Sequence, residues 1–208
     1  MEEETLNKKK FDYKWIIVGL CFLMVMICLG FCSSTNSLFV KPVTENLGIE
    51  RSAYSVKDSV RYVATSIVNI FFGTLVAKFG SKKLIAAGFI SLIGAMVLYA
   101  VATSVWVMYV GGFFLGIGFA WTTTTMVGYV VNQWCSESKG TIMGAILAAN
   151  GIGGAIATQI VTPVINGSGE VPGYRKAYFL IAIVIAVVAV LVLLFFKDKP
   201  KSADNIAV

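Results

Sequence analysis

The sequence contains no histidine, only four cysteines, and charged residues at just 13% of its 208 positions. Without histidine and with so few thiols, little material remains for a His-based or Cys/His metal site. A water-soluble domain carries about 25% charge, so this chain is not built for water. Its 17 basic residues are dispersed rather than clustered, which disfavours a nucleic-acid surface. Its low polarity excludes a disordered tail.

What is present is apolar: 57% of the residues are hydrophobic and the mean hydropathy is +0.81. Six uninterrupted apolar runs stand out, Trp15 to Phe39, Val56 to Val76, Leu84 to Thr103, Val105 to Val131, Thr141 to Ile165 and Ala177 to Phe196. A transmembrane helix needs about 20 apolar residues, so six spans would use roughly 120 residues and leave short loops. The runs are too long and too continuous for the alternating strands of a membrane β-barrel. The first run follows Lys8, Lys9 and Lys10. It exceeds the core of a signal peptide and has no small-residue cleavage site after it, so it is expected to be an uncleaved first helix. The expected organisation is a tail at 1–14, a six-helix bundle at 15–196 and a tail at 197–208.

Orientation follows from the basic residues. With the N-terminus inside, eleven lysines fall on the inner side, whereas the outer side holds Lys41, Arg51, Lys57, Arg175 and Lys176. The positive-inside rule then predicts that both termini are cytoplasmic. The net charge of +6 is accounted for by this asymmetry, and the inner tails can also touch anionic lipid.

The connection between the second and third runs reads Gly73-Thr74-Leu75-Val76-Ala77-Lys78-Phe79-Gly80-Ser81-Lys82-Lys83. Gly73 suits close helix approach, Gly80 a tight turn, and the lysines a cytoplasmic loop. This segment resembles the loop signature of the major facilitator superfamily, with Gly73, Lys78, Gly80, Lys82 and Lys83 at matching positions. Ala77 stands where that family usually has an aspartate, so the family's inner charge latch is not expected here. Further on, Asn132-Gln133-Trp134-Cys135-Ser136-Glu137-Ser138-Lys139-Gly140 leads into Gly144, Asn150, Gly151, Gly153 and Gly154. With Ser37-Leu38-Phe39-Val40-Lys41-Pro42, Leu47-Gly48 and Arg51-Ser52, this is similar to the monocarboxylate and oxalate/formate exchanger branches. The resemblance implies an all-α integral membrane fold, a half-bundle of two inverted three-helix units within a twelve-helix architecture. It also implies secondary transport of a small organic anion by alternating access, in a bacterial cytoplasmic membrane, without cofactor and without enzymatic activity.

Candidate pathway residues lie in the first two runs and the fifth. A charge at membrane depth is costly and is a functional hypothesis by default. Arg61 is the clear case, and Arg61, Thr65 and Asn69 form a line at helical spacing, as do Ser33, Ser37 and Lys41. A guanidinium fork and an ammonium above hydroxyls and amides suit a small carboxylate. The structural alternatives are that Arg61 snorkels outward or pairs with Asp58, and that Lys41, beside Pro42, is an interfacial lysine. Lys41 also lies where the resembled monocarboxylate branch carries a pathway lysine. Thr122 to Thr125, Tyr129 and Asn150 could line the path or bond neighbouring helices. Gly112 and Gly116, and again Gly140 and Gly144, have the GxxxG spacing of close helix packing. Cys21, Cys28 and Cys32 suit packing. Asn166-Gly167-Ser168 matches a glycosylation triplet, discounted because nothing points to a secretory route.

All eleven acids fall in tails, loops or at the edge of a run. A proton relay is therefore expected to lie elsewhere, or to be unneeded if one anion exchanges for another. The length is that of half a transporter. It is expected to represent a truncated carrier, a homodimerising half, or a half that pairs with a separately encoded partner. A non-transporting scaffold or assembly protein is the competing class.

Overall fold

The computed structural model describes residues 2–135, 138–167 and 171–198. Ser136, Glu137, Ser168 and residues 199–208 of the expected C-terminal tail lie outside the described residues. Among the described residues the chain is helical throughout, without a strand.

The first span comprises α1 (Glu2–Leu29), a π-helical turn (Gly30–Ser34) and α2 (Asn36–Leu47). Residues 2–14, expected as a tail, continue this helix. Gly48, with φ of 63°, ends α2, a conformation that favours glycine. The second span is a bent pair, α3 (Arg51–Ile70) and α4 (Phe72–Phe79), angled by 62° at Phe71. Then come α5 (Ser81–Val101), α6 (Val105–Thr122), α7 (Thr124–Trp134), α8 (Lys139–Ile165) and α9 (Gly173–Phe195). Among the described residues, five stretches are long and apolar enough to cross a membrane, with α6 and α7 acting together, and the bent pair makes a sixth when counted as one span. The bent pair is the exception because α3 carries Arg51, Lys57, Asp58 and Arg61 within 20 residues. Its helix starts five residues before the apolar run that marks it in the sequence.

The main packing partners are α5 with α6, α5 with α9, α3 with α6, and α1 with α8. Lipid supplies no hydrophobic drive between helices, so close backbone approach matters. A Cβ at Gly112 would lie 2.5 Å from the Lys57 carbonyl oxygen, and one at Gly116 would lie 2.8 Å from the Ala64 Cβ. The first GxxxG pair is thus the seat on which α3 rests. Gly140 and Gly144 differ: both are exposed, and a Cβ at either would meet nothing within 4 Å. Their spacing is right, but among the described residues neither makes a close helix contact. Gly73 is likewise exposed with open space around it, so it provides no close helix contact here. Close approach on α8 falls instead to Gly153, which meets the Met26 backbone of α1.

The surface is inverted relative to a soluble protein. On α3, Lys57 and Arg61 are buried while Tyr62, Val63, Ile67 and Ile70 are exposed, Ile70 at 77%. In water, Lys and Arg are almost never fully buried. In a bilayer, charged side chains face the bundle interior and apolar ones face lipid.

Candidate functional site

The inward face of α3 is Tyr54, Lys57, Arg61 and Ala64, spaced three or four residues apart as one helical face requires. Two of these four are cations. Lys57 is 1% exposed, and its Nζ donates to Asn36 Oδ1 at 2.6 Å and to Asp58 Oδ2 at 3.3 Å. The rings of Tyr54 and Tyr99 flank the ammonium at 4.2 and 5.7 Å, a favourable setting for a desolvated cation. Asn36 completes the triangle, its amide nitrogen donating to Asp58 Oδ2 at 2.9 Å while its Oδ1 also accepts from Tyr54 Oη at 3.2 Å. Tyr178 of α9 lies 3.4 Å from the Tyr54 hydroxyl and stacks on Phe39. A cavity of about 10 Å³, bounded by Cys32, Thr35, Asn36, Lys57, Asp58 and Tyr99 among others, sits in this cluster. That is room for a single water.

Arg61 is held more loosely. It is 7% exposed, yet its Nε lies 3.6 Å from Asp58 Oδ1 as an ion pair without a hydrogen bond. One terminal nitrogen donates to Ser33 Oγ at 3.4 Å. The rings of Tyr62 and Phe119 lie 4.4 and 5.4 Å from its guanidinium carbon. A guanidinium offers five donors, so this one retains unused capacity in a dry place. The cluster holds two cations against one carboxylate. An uncompensated buried charge is costly, and a small anion at Arg61 would relieve it.

The other predicted site residues scatter. Thr65 donates to the carbonyls of Arg61 and Gly116, each at 2.9 Å, so it bonds α3 to α6. Asn69 is exposed. Each step of four residues advances a face by about 40°, so the line drawn from Arg61 has turned by about 80° at Asn69. Between positions 32 and 41 of the first span the buried residues are Cys32, Thr35 and Phe39, with Asn36 half-buried. Ser37 is exposed, as is Lys41, which pairs with Glu45 at 3.9 Å. Asn150 accepts from Ser34 Oγ at 3.3 Å, linking α8 to the π-turn. Thr122 and Thr123 donate to their own helix at Gly118 and Phe119, and Tyr129 accepts from Gln133. Cys21, Cys28 and Cys32 are free and buried. Among the described residues no group of acids or thiols has the makings of a metal site.

Of the three charged groups in this cluster, the buried Lys57 and the half-buried Asp58 are absent from the sequence-based site. The sequence counts Lys57 with the outer-side basic residues and Asp58 at a span edge, because charges mark the end of an apolar run. In α3 both lie more than one turn inside the helix. The available signal was periodicity, since Tyr54, Lys57, Arg61 and Ala64 fall on one face.

At the other end of the bent pair, Gly80 adopts φ of 79° and makes the turn into α5. The Lys82 backbone N–H donates to an Asp198 carboxylate oxygen, and the other carboxylate oxygen lies 3.4 Å from where a Gly80 Cβ would be. With alanine at position 77, the acid at this loop comes from beyond α9. Lys78 and Lys83 are exposed there.

A model of the Major Facilitator Superfamily matches residues 20–207. The chain belongs to the major facilitator superfamily. It is thus an integral, multi-pass membrane protein of a transporter family. It is 24% identical to an uncharacterized MFS-type transporter, YcxA, of Bacillus subtilis, over 92% of this chain and 46% of that protein. It is 28% identical to the nitrite extrusion protein of the same organism, over 76% of this chain and 39% of the relative. To the sialic acid transporter NanX of Escherichia coli it is 26% identical, over 78% and 38%. The chain therefore spans less than half the length of these relatives.

Proposed function

We propose that this chain is the N-terminal six-helix half of a secondary transporter for a small anion, with Arg61 as the group that contacts it. The observation that carries the reading is a buried guanidinium whose Nε has no hydrogen-bond partner, in a cluster with one more cation than carboxylate. Relatives named for nitrite and sialic acid support an anionic cargo. A planar oxoanion or carboxylate matches the guanidinium fork, and a small organic anion such as a monocarboxylate, formate or oxalate remains the proposed class.

The packing pattern supports two three-helix repeats. Exchanging the first three spans for the last three converts the contact of spans one and five into that of spans four and two. It maps the contact of spans three and six onto itself. Alternating access needs a second bundle rocking against the first, so a partner half, on a separate chain, in a longer chain or as a second copy, completes the carrier. Ser37, Lys41 and Asn69, exposed in this chain, are open to that partner. The lysine asymmetry supports cytoplasmic termini, and the bacterial relatives support a cytoplasmic membrane.

The test is uptake of labelled formate, lactate and nitrate by vesicles holding the assembled protein, with Arg61→Ala and Lys41→Ala. Arg61→Ala is expected to abolish uptake and Lys41→Ala to weaken it. Full uptake by a folded Arg61→Ala protein would sink the reading. A folded assembly that moves none of these anions would favour a scaffold instead.

A further inference from the structure

We infer that Ser33 is the second donor of the anion site, and that its hydroxyl makes the site select anions that accept strong hydrogen bonds through oxygen, carboxylates above all. The inference rests on the reading of Arg61 as the anion contact. Its basis is the place of Ser33 on the π-turn of the first span. A π-turn winds wider than the α-helix around it, and such turns concentrate at functional sites. This one sets Ser33 Oγ 3.4 Å from a terminal nitrogen of Arg61.

The turn is held from behind. A Cβ at Gly30 would lie 2.6 Å from the Gly153 carbonyl carbon, and one at Gly154 would lie 2.7 Å from the Ser34 Cβ, so α8 is the seat of the turn. Ser34 Oγ donates to Asn150 of α8, and the Thr35 hydroxyl donates back to the Phe31 carbonyl at 2.5 Å. None of these contacts uses the Ser33 side chain. The backbone on both sides is fixed and the hydroxyl between is presented to Arg61.

The contact of Ser33 with Arg61 is long beside the usual N–H···O distance of about 2.9–3.0 Å. A hydroxyl that accepts a hydrogen bond still has its own proton to donate. Guanidinium and hydroxyl thus stand as two neighbouring donors. Ser33 is half-buried and the adjacent Ser34 is exposed, so this edge of the cluster can be reached. A carboxylate brings one oxygen for each donor. Iodide, a single large ion and a weak acceptor, gains the attraction of Arg61 but little from the hydroxyl. A site that hydrogen-bonds its ligand rejects one that leaves the donor unpaired. Arg61 then supplies the charge, and Ser33 the choice among anions.

The experiment is calorimetric titration of the full chain, purified from membranes in the assembly it forms, with formate and with iodide at constant ionic strength. Wild type is expected to prefer formate. Ser33→Ala is expected to bind formate about tenfold more weakly and iodide within about twofold of wild type, so that the preference falls. Ser33→Thr keeps the hydroxyl and is expected to keep the preference. Ser33→Cys, close in shape but a weak donor, is expected to lose it, and gives a second reading if Ser33→Ala does not fold. An equal loss for both anions in Ser33→Ala and Ser33→Cys would make Ser33 a structural residue and overturn the inference, as would no loss for either. Both results leave the anion site intact so long as Arg61→Ala abolishes binding. Binding that Arg61→Ala leaves unchanged would overturn both readings.

Discussion

The two groups of helices in the bundle, α1 to α5 and α6 to α9, serve different purposes. The first, α1 to α5, contains both buried cations, Lys57 and Arg61, while the buried polar side chains of the second, α6 to α9, are Thr122 and Thr123. Those threonines are satisfied by their own helix backbone. The second unit instead contributes bare surface: Gly112 and Gly116 receive the α3 backbone at the level of Lys57 and Arg61. Chemistry sits on one unit and the platform that positions it on the other. The glycines matter because a charge-bearing helix is held here by contact and hydrogen bonding, not by apolar side chains alone.

Filling the platform should break this division most severely. In Gly116→Leu the side chain would have to displace the Arg61 carbonyl and Ala64, so loss of folded protein, at a cost of about 3 kcal/mol or more, is expected by thermal unfolding in detergent. Next comes Asp58→Leu, which leaves two cations without their carboxylate. A cost of about 3 kcal/mol is expected, whereas the same measurement on Thr122→Val in the second unit should show about 1 kcal/mol. Thr65→Val removes the hydroxyl that joins the two units through the Gly116 carbonyl, and about 1 kcal/mol is expected. The smallest effect belongs to Gly144→Ala, with open space around it, where a change within about 0.5 kcal/mol is expected. A large destabilisation there would show that α8 is covered in the assembled protein.

The span positions were legible because apolar runs of 20 or more residues leave few alternatives, and α5, α8 and α9 begin within a few residues of their runs. The second span was not, because α3 opens with Arg51 and Ser52 and places Lys57 and Arg61 on the buried face. A reading that treats charge as the exit from a membrane cuts the helix just where its chemistry begins. Arg61 is legible because it lies deeper in the run. Asn36 is not, because a line of residues through Ser33 and Ser37 assumes a regular α-helix, while Gly30–Ser34 winds as a π-turn. The loop motif was readable in its glycine and lysines, but Asp198 was invisible as part of it, since nothing local connects position 198 to position 82.

The central claim is that a buried, under-bonded guanidinium on α3 recognises the anion. The most direct measurement is the affinity of the assembled, folded protein for nitrate in wild type, Arg61→Lys and Arg61→Ala. A charged hydrogen-bonding contact contributes about 1.5–3 kcal/mol, so Arg61→Ala should bind about tenfold to a hundredfold more weakly. Arg61→Lys should fall between them because it keeps the charge and loses the fork. Equal affinity in all three proteins would contradict the account.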